Sequence, residues 1–217
     1  MKAIVKFSLV AAAAMMLFAC EESTINVDDQ GLTRDIRDLI PADILDEVEA
    51  LGMPINGGAK PPNVENTYLI TPLALKATNI AGDYAIGYIF ADLTFKLYDQ
   101  KNSDLTITMD YNSANSYSNN MQSYIVGSNN LFTVFVDNQT TRGDEVTDMV
   151  MIISGKLASN GIEELHLAYV MVDNKGYEGY INNGECRIFI DQDGLTEIVP
   201  STRMVSTSPM FPGISPK

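Results

Sequence analysis

From Thr67 to Val199 the chain runs through a near-unbroken series of short segments in which apolar residues recur at every second position, separated by clusters of Asn, Gly, Asp and Ser. Leu105, Ile107, Met109 and Tyr111 alternate with Asp104, Thr106, Thr108 and Asp110, and Leu93, Phe95 and Leu97 alternate with Thr94, Lys96 and Tyr98. A period of two sends successive side chains to opposite faces of a strand, so each segment offers one apolar and one wet face. Further strand segments fall at 67–71, 84–91, 121–127, 131–137, 146–156, 162–173, 184–191 and 195–199. No helical period lies between them, which disfavours parallel crossover units and points to an all-β antiparallel meander. About ten strands in series must close or fold over to protect their edges. Short spacings and sequential order favour closure into a lipocalin-like up-and-down β-barrel, with a two-sheet β-sandwich as the alternative.

Ahead of this region the chain reads differently. Lys2 and Lys6 give a positive start, and Phe7 to Phe18 is apolar except for Ser8. That is the layout of a secretory signal, and a dozen apolar residues fall short of the roughly twenty needed to span a bilayer as a helix. Leu17-Phe18-Ala19-Cys20 resembles the lipobox of bacterial lipoproteins, which implies cleavage before Cys20 and lipid attachment to its thiol. Acyl chains contribute about 0.8 kcal/mol per buried methylene, so two or three would anchor the chain in a lipid bilayer. Glu21 and Glu22 resemble the acidic export signal of lipoproteins displayed on the surface of Bacteroidetes, which implies an outer-membrane location with cell-surface display, periplasm-facing attachment being the alternative.

The expected organisation is a signal peptide over 1–19, a lipidated tether over 20–30, a short helix with a Pro/Gly-rich lead-in over 31–66, the barrel over 67–199, and a Ser/Thr/Pro-rich tail over 200–217. The helix starts near Pro41, carries Asp43, Asp46 and Glu47 in its early turns, groups Ile44, Leu45, Val48 and Leu51 on one face, and stops at Gly52 and Pro54.

Removing residues 1–19 takes away two lysines and no acid, moving the formal charge from −14 to −16. Nucleic acid and anionic lipid surfaces are therefore poor partners. Cys186 is the one cysteine left beside Cys20, which excludes an internal disulfide and any multi-cysteine metal site. It shares a strand face with Ile188 and Ile190 and reads as a buried structural thiol. The single histidine, His166, has no nucleophile motif beside it and also reads as structural. Asp191, Asp193, Gly194 and Glu197 invite a calcium reading, but aligning Gly194 with an EF-hand glycine puts Phe189 and Pro200 at ligand positions. Asp193-Gly194 reads instead as a tight hairpin turn. Asp144, Glu145 and Asp148 read as a solvated loop. No catalytic residue, metal or cofactor is expected.

Gly52-Met53-Pro54-Ile55, Lys60-Pro61-Pro62-Asn63-Val64-Glu65-Asn66-Thr67-Tyr68 with Ile70 and Pro72, Ser154-Gly155, Gly161-Ile162 and Arg187-Ile188-Phe189 with Asp191 to Gly194 resemble a family of uncharacterised Bacteroidetes lipoproteins. The resemblance spans most of the mature chain and implies a lipocalin-like, or calycin-like, barrel. Lipocalins typically carry a Gly-x-Trp motif whose indole closes the barrel bottom; this chain has no tryptophan, and Tyr68 or Tyr84 would have to fill that role. The likeness therefore concerns architecture and names no ligand.

Tyr111 to Tyr124 is dense in amides, hydroxyls and rings, which makes a loop carrying Tyr111, Tyr117 and Tyr124 a candidate contact for glycans or protein surfaces. Three functions follow in order of preference. The first is a membrane-anchored, non-enzymatic module binding a glycan or small apolar ligand. The second is a structural lipoprotein contacting another envelope protein, and the third a carboxylate-dependent hydrolase.

Overall fold

The computed structural model describes residues 25–204 except Asn115 and Gly143; the expected signal peptide, the lipid attachment site Cys20 and most of the C-terminal tail lie outside the described residues. In chain order the elements are α1 (Arg34–Leu39), α2 (Ala42–Ala50), β1 (Ala59–Lys60), β2 (Asn66–Ile70), β3 (Leu73–Thr78), β4 (Ile89–Phe90), β5 (Leu93–Lys101), β6 (Thr106–Ser113), β7 (Ser116–Ser128), β8 (Leu131–Arg142), β9 (Glu145–Ala158), β10 (Gly161–Asp173), β11 (Cys186–Asp191) and β12 (Leu195–Ile198).

The sheet closes. Strands β2, β5, β6, β7, β8, β9, β10 and β12 pair in that order, and β12 bonds to both β10 and β2, which makes a closed eight-stranded antiparallel barrel. At the seam Glu197 stands opposite both Gly161 and Leu69, and the Val199 N–H donates to the Thr67 carbonyl at 2.9 Å. The expected barrel is thus the architecture found.

Three ring strands are long and bent. Strands β2 and β3 are halves of one strand broken at Thr71–Pro72, a cis peptide. Strands β4 and β5 follow one another around Ala91-Asp92, and β11 and β12 around residues 192–194. The Asp193-Gly194 hairpin expected from sequence does not form: β11 and β12 both run along β10 rather than against each other. The Asp-Gly pair makes a turn inside one strand, with Gly194 at φ 88.

Other expectations change in detail. Strand β3 was hidden by Pro72 and by its two alanines, which are weak strand formers. Of the segment 84–91, only Ile89–Phe90 is strand. Leu105 leaves the interior series, since its backbone turns at φ 54 ahead of β6 and its side chain joins the outer cluster. The single expected helix is two, because the Thr33 hydroxyl accepts from the Ile36 N–H and starts α1 before Pro41 caps α2. Part of the lead-in is also paired: β1 lies parallel to β7, and the Gly127 N–H donates to the Gly58 carbonyl. A Cβ on Gly127 would stand 2.3 Å from the Leu131 carbonyl oxygen, so only glycine fits there.

Two apolar layers use the two faces of the wall. The inner layer fills the barrel with side chains such as Tyr68, Phe95, Ile125, Phe132, Val134 and Leu167. The outer layer packs Leu32, Ile36, Ile40, Leu45 and Val48 from the helical segment against Val126, Phe135, Ile152, Ala168, Val170 and Ile188. Each such buried aliphatic side chain contributes about 1.5–3 kcal/mol. Burial on both faces explains why β8 reads Phe-Thr-Val-Phe-Val without alternation. Thr133 and Ser154, also fully buried, are met by Asn56, whose backbone N–H donates to the Thr133 hydroxyl at 2.8 Å and whose amide donates to the Ser154 hydroxyl at 2.9 Å. Ile25 and Val27, at the end of the expected tether, also lie against this outer layer.

Asp191 holds the bend between β11 and β12. It is buried, and its Oδ2 accepts from the Thr196 hydroxyl at 2.9 Å, while its Oδ1 is buried with no hydrogen-bond partner among the described residues. Burial pushes its carboxyl up to about 6, with the neighbouring Asp193 adding to the rise against the Thr196 hydrogen bond. As pH rises from about 4 to 6 the unfolded chain gives up this proton before the folded one, so stability is lost across that window. Asp191→Asn keeps an acceptor without the charge. It is expected to melt higher than the parent at pH 8, by about 2–4 °C per kcal/mol recovered, and not at pH 4. A variant that melts lower at both pH values would show that the ionised carboxylate stabilises the bend.

Candidate functional site

Because the strands run alternately up and down, the two barrel ends have different connections. The turns after β5, β7 and β9 lie at one end, with the start of β2 and the end of β12. This end is plugged: Tyr68 is buried, stacks on Phe95 at 5.2 Å and donates its hydroxyl to the Val64 carbonyl at 2.9 Å. Tyr68 therefore closes this end of the barrel, while Tyr84 sits at the opposite end.

The mouth carries the two long connections, 79–88 after β3 and 174–185 after β10, with the β6–β7 and β8–β9 hairpins. On the first of them an apolar group stays in solvent: Tyr84 is 41% exposed, Ile86 63%, Tyr88 48% and Ile89 45%. The rings form a cluster rather than hanging loose. Tyr84 and Tyr88 lie 4.5 Å apart, and Phe90 stands edge-on to them at 5.1 Å and 4.9 Å. Phe90 continues inward to Phe189 at 5.1 Å, and Phe189 to Tyr169 at 5.8 Å, so a chain of rings joins the rim to the interior.

An ion pair anchors the rim. Arg187 at the mouth end of β11 donates through Nε and Nη2 to the two oxygens of Asp83 at 2.8 Å and 2.5 Å, and its guanidinium lies 5.5 Å from the centre of the Tyr84 ring. The pair is sealed, with the side chains 11% and 3% exposed. Burial pushes the Asp83 carboxyl up, but the hydrogen bonds from Arg187 and Thr78 outweigh it and hold the group below the usual carboxylate range. The second loop packs Ile181 on Met149 and Met171, with Ile80 of the first loop beside them. Lys175 ties this side down by pairing with Asp173 at 2.8 Å and with Asp148.

The three tyrosines singled out from sequence do not form one contact loop. Residues 111–124 belong largely to β6, β7 and their hairpin. Tyr111 points into the barrel, Tyr117 is exposed on β7, and Tyr124 lies on the outer wall against the layer that the helices cover. The rim residues Tyr84, Ile86 and Tyr88 were missed because Tyr-Ala-Ile-Gly-Tyr-Ile-Phe reads as an apolar strand. Gly82 and Gly87, both at positive φ, were the signal that a loop intervened.

The remaining candidates stand as follows. Burial pushes the Cys186 thiol up to about 12 in the outer layer, so it is unreactive. His166 lies half-buried on the wall beside Lys76, and burial holds its ring below the ordinary histidine range. Among the described residues no group of three or more His, Cys, Asp or Glu is placed to hold a metal ion, and no helix is long and apolar enough to cross a membrane. No protein-family model, curated protein or solved structure matches the chain.

Removing one partner of a sealed ion pair strands a buried charge. Arg187→Met is expected to cost about 3–5 kcal/mol in urea unfolding, and adding Asp83→Leu to recover much of it. A single-variant loss below ~1 kcal/mol would mean that the pair does not anchor the rim.

Proposed function

We propose that this chain is a lipid-anchored, non-enzymatic binding module of the bacterial outer envelope, of the Bacteroidetes lipoprotein type, that meets a neutral glycan or apolar ligand at the barrel mouth. The observation that carries the reading is the Tyr84–Ile86–Tyr88–Ile89 rim, a contiguous apolar group held in solvent on a structurally anchored loop. Exposed aromatic groups of this kind are costly unless something covers them, and tyrosine rings combine a flat apolar face with a hydrogen-bonding tip. Anchoring through Cys20 would place the module on the membrane without a spanning segment.

Neutral ligands fit the charge pattern. The formal charge without residues 1–19 is −16, and at the mouth Arg187 and Lys175 are engaged with carboxylates. The carboxylates with raised pKa lie elsewhere: Asp137 on the exposed outer face of β8, Asp191 in the strand bend and Glu49 on α2. That placement favours binding over hydrolysis. The same rim also suits the second reading, contact with another envelope protein.

Native mass spectrometry of the lipidated protein, extracted from its own envelope, tests the proposal. A small-molecule adduct lost on denaturation is expected, its occupancy falling at least about tenfold in Tyr84→Ala/Tyr88→Ala, and Cys20→Ser is expected to leave the membrane fraction. A co-purifying protein lost in the rim variant would favour the assembly reading, and a bare mass would contradict both.

A further inference from the structure

Of the tether expected over 20–30, the later part belongs to the fold. Ile25 and Val27 are packed against the outer layer of the wall. The Asp28 N–H donates to the Leu32 carbonyl at 2.9 Å, and Arg37 Nε donates to Asp28 Oδ2 at 2.8 Å. Next to Leu32, the Gly31 carbonyl accepts from the Gly58 N–H at 2.8 Å, and the Gly58 carbonyl accepts from the Gly127 N–H at 2.9 Å, beside the plugged-end turn at 128–131. Gly31 is seated closely there, since a Cβ on it would stand 2.4 Å from the Gly58 nitrogen. The lead-in is therefore fastened at the plugged end. Ile25 comes five positions after Cys20, and five residues span at most ~18 Å when fully extended. Strand β9, 14 residues long, runs from the mouth to the plugged end and rises about 35 Å along the axis at the usual residue spacing and barrel tilt. A lipid on Cys20 thus holds the plugged end near its bilayer, on a lead-in about half as long as the barrel is tall.

We propose that the barrel stands with its plugged end on the bilayer that holds the Cys20 lipid and points its mouth away from it. The inference rests on the anchoring of Cys20 and deepens the mouth reading: the rim draws its ligand from the space beyond the bilayer, not from the lipids. Charge selects the plugged end over the helical wall. The wall exposes Asp35, Asp38, Asp43, Asp46 and Glu47 on α1 and α2. Laying it on the headgroups would bring this block of like charge within a Debye length, about 8–10 Å, of a surface that carries anionic lipid. The turns at the plugged end instead expose Asn102, Ser103, Asn129, Asn130, Ser159 and Asn160, with Asp104 the single carboxylate among them. Such amides and hydroxyls exchange water for the phosphate and ester oxygens of headgroups. The segment from Tyr84 to Phe90 has no charged residue, and its exposed rings and isoleucines are the surface a bilayer would otherwise take up. The short lead-in keeps that rim away from the membrane.

Energy transfer from the lipidated chain to its bilayer tests the orientation, in phosphatidylcholine vesicles that carry a fluorescent acceptor on a fraction of the headgroups. With Cys20 lipidated and Cys186 buried, one introduced cysteine takes the donor dye. Asn130→Cys marks the plugged end and Ala85→Cys the mouth, both at exposed positions. Transfer is expected to be stronger from position 130 than from position 85. A Gly/Ser insert of about ten residues after Ser23 is expected to weaken transfer from position 130 and to narrow the difference. Equal transfer from the two positions, or stronger transfer from position 85, would overturn the orientation, and an insert without effect would overturn the short lead-in as its cause. The anchor fails separately: a parent protein that does not float with the vesicles overturns anchor and orientation together. A parent that floats but transfers in the wrong order leaves the anchor and the rim reading standing.

Discussion

Everything in this protein depends on a short seam, the pairing of β12 with β10 on one side and β2 on the other. Without it the chain would be an open meander with two unpaired edges, each a template for association with another strand. With it the apolar faces of eight strands turn inward around a common axis. The seam is only a few residues long, so it relies on the bends beside it. The Gln192 N–H ties the bent β11–β12 strand to the Pro72 carbonyl at 3.0 Å, at the bend of the facing strand, and the buried Asp191 beside it accepts from the Thr196 hydroxyl.

Closure also makes the two ends unequal. At one end Tyr68 and Phe95 seal the interior, and β1 and the glycine-rich lead-in press against the wall outside. At the other end two long loops stand beside the β6–β7 and β8–β9 hairpins, and aromatic rings remain in solvent. Polar anchoring is concentrated there, in Asp83 with Arg187 and in Lys175 with Asp173. Bidentate contact from a planar guanidinium fixes orientation as well as charge, which suits a loop that must hold exposed rings in place. The two helices complete the division by covering one side of the barrel wall.

Much of the fold was legible in the sequence because a half-buried strand writes its geometry as alternation, as in Thr106–Ser113 and Leu93–Lys101. Alternation reports a strand and not its partner, so Asp193-Gly194 looked like a hairpin when it marks a bend within a strand running along β10. Strand β8 lost its alternation because the helices bury its outer face, a tertiary fact with no local signature. The candidate site was less legible. Asp83 and Arg187 lie 104 residues apart, and nothing local in either segment announces the other. Tyr84 and Tyr88 resembled core residues because exposure is decided by where a loop stands on the barrel. Tyr111 was singled out for its polar neighbours, yet its own alternation with Ile107 and Met109 already placed it inside.

The central claim is that recognition happens at the mouth and not on the wall or at the plugged end. Hydrogen–deuterium exchange of the lipidated protein, measured with and without its own envelope extract, tests this most directly. The account predicts added protection in residues 79–90 and 174–185, with the turns at 102–105, 128–131 and 158–161 unchanged. Protection confined to those turns, or to the helical face over 33–51, would contradict it.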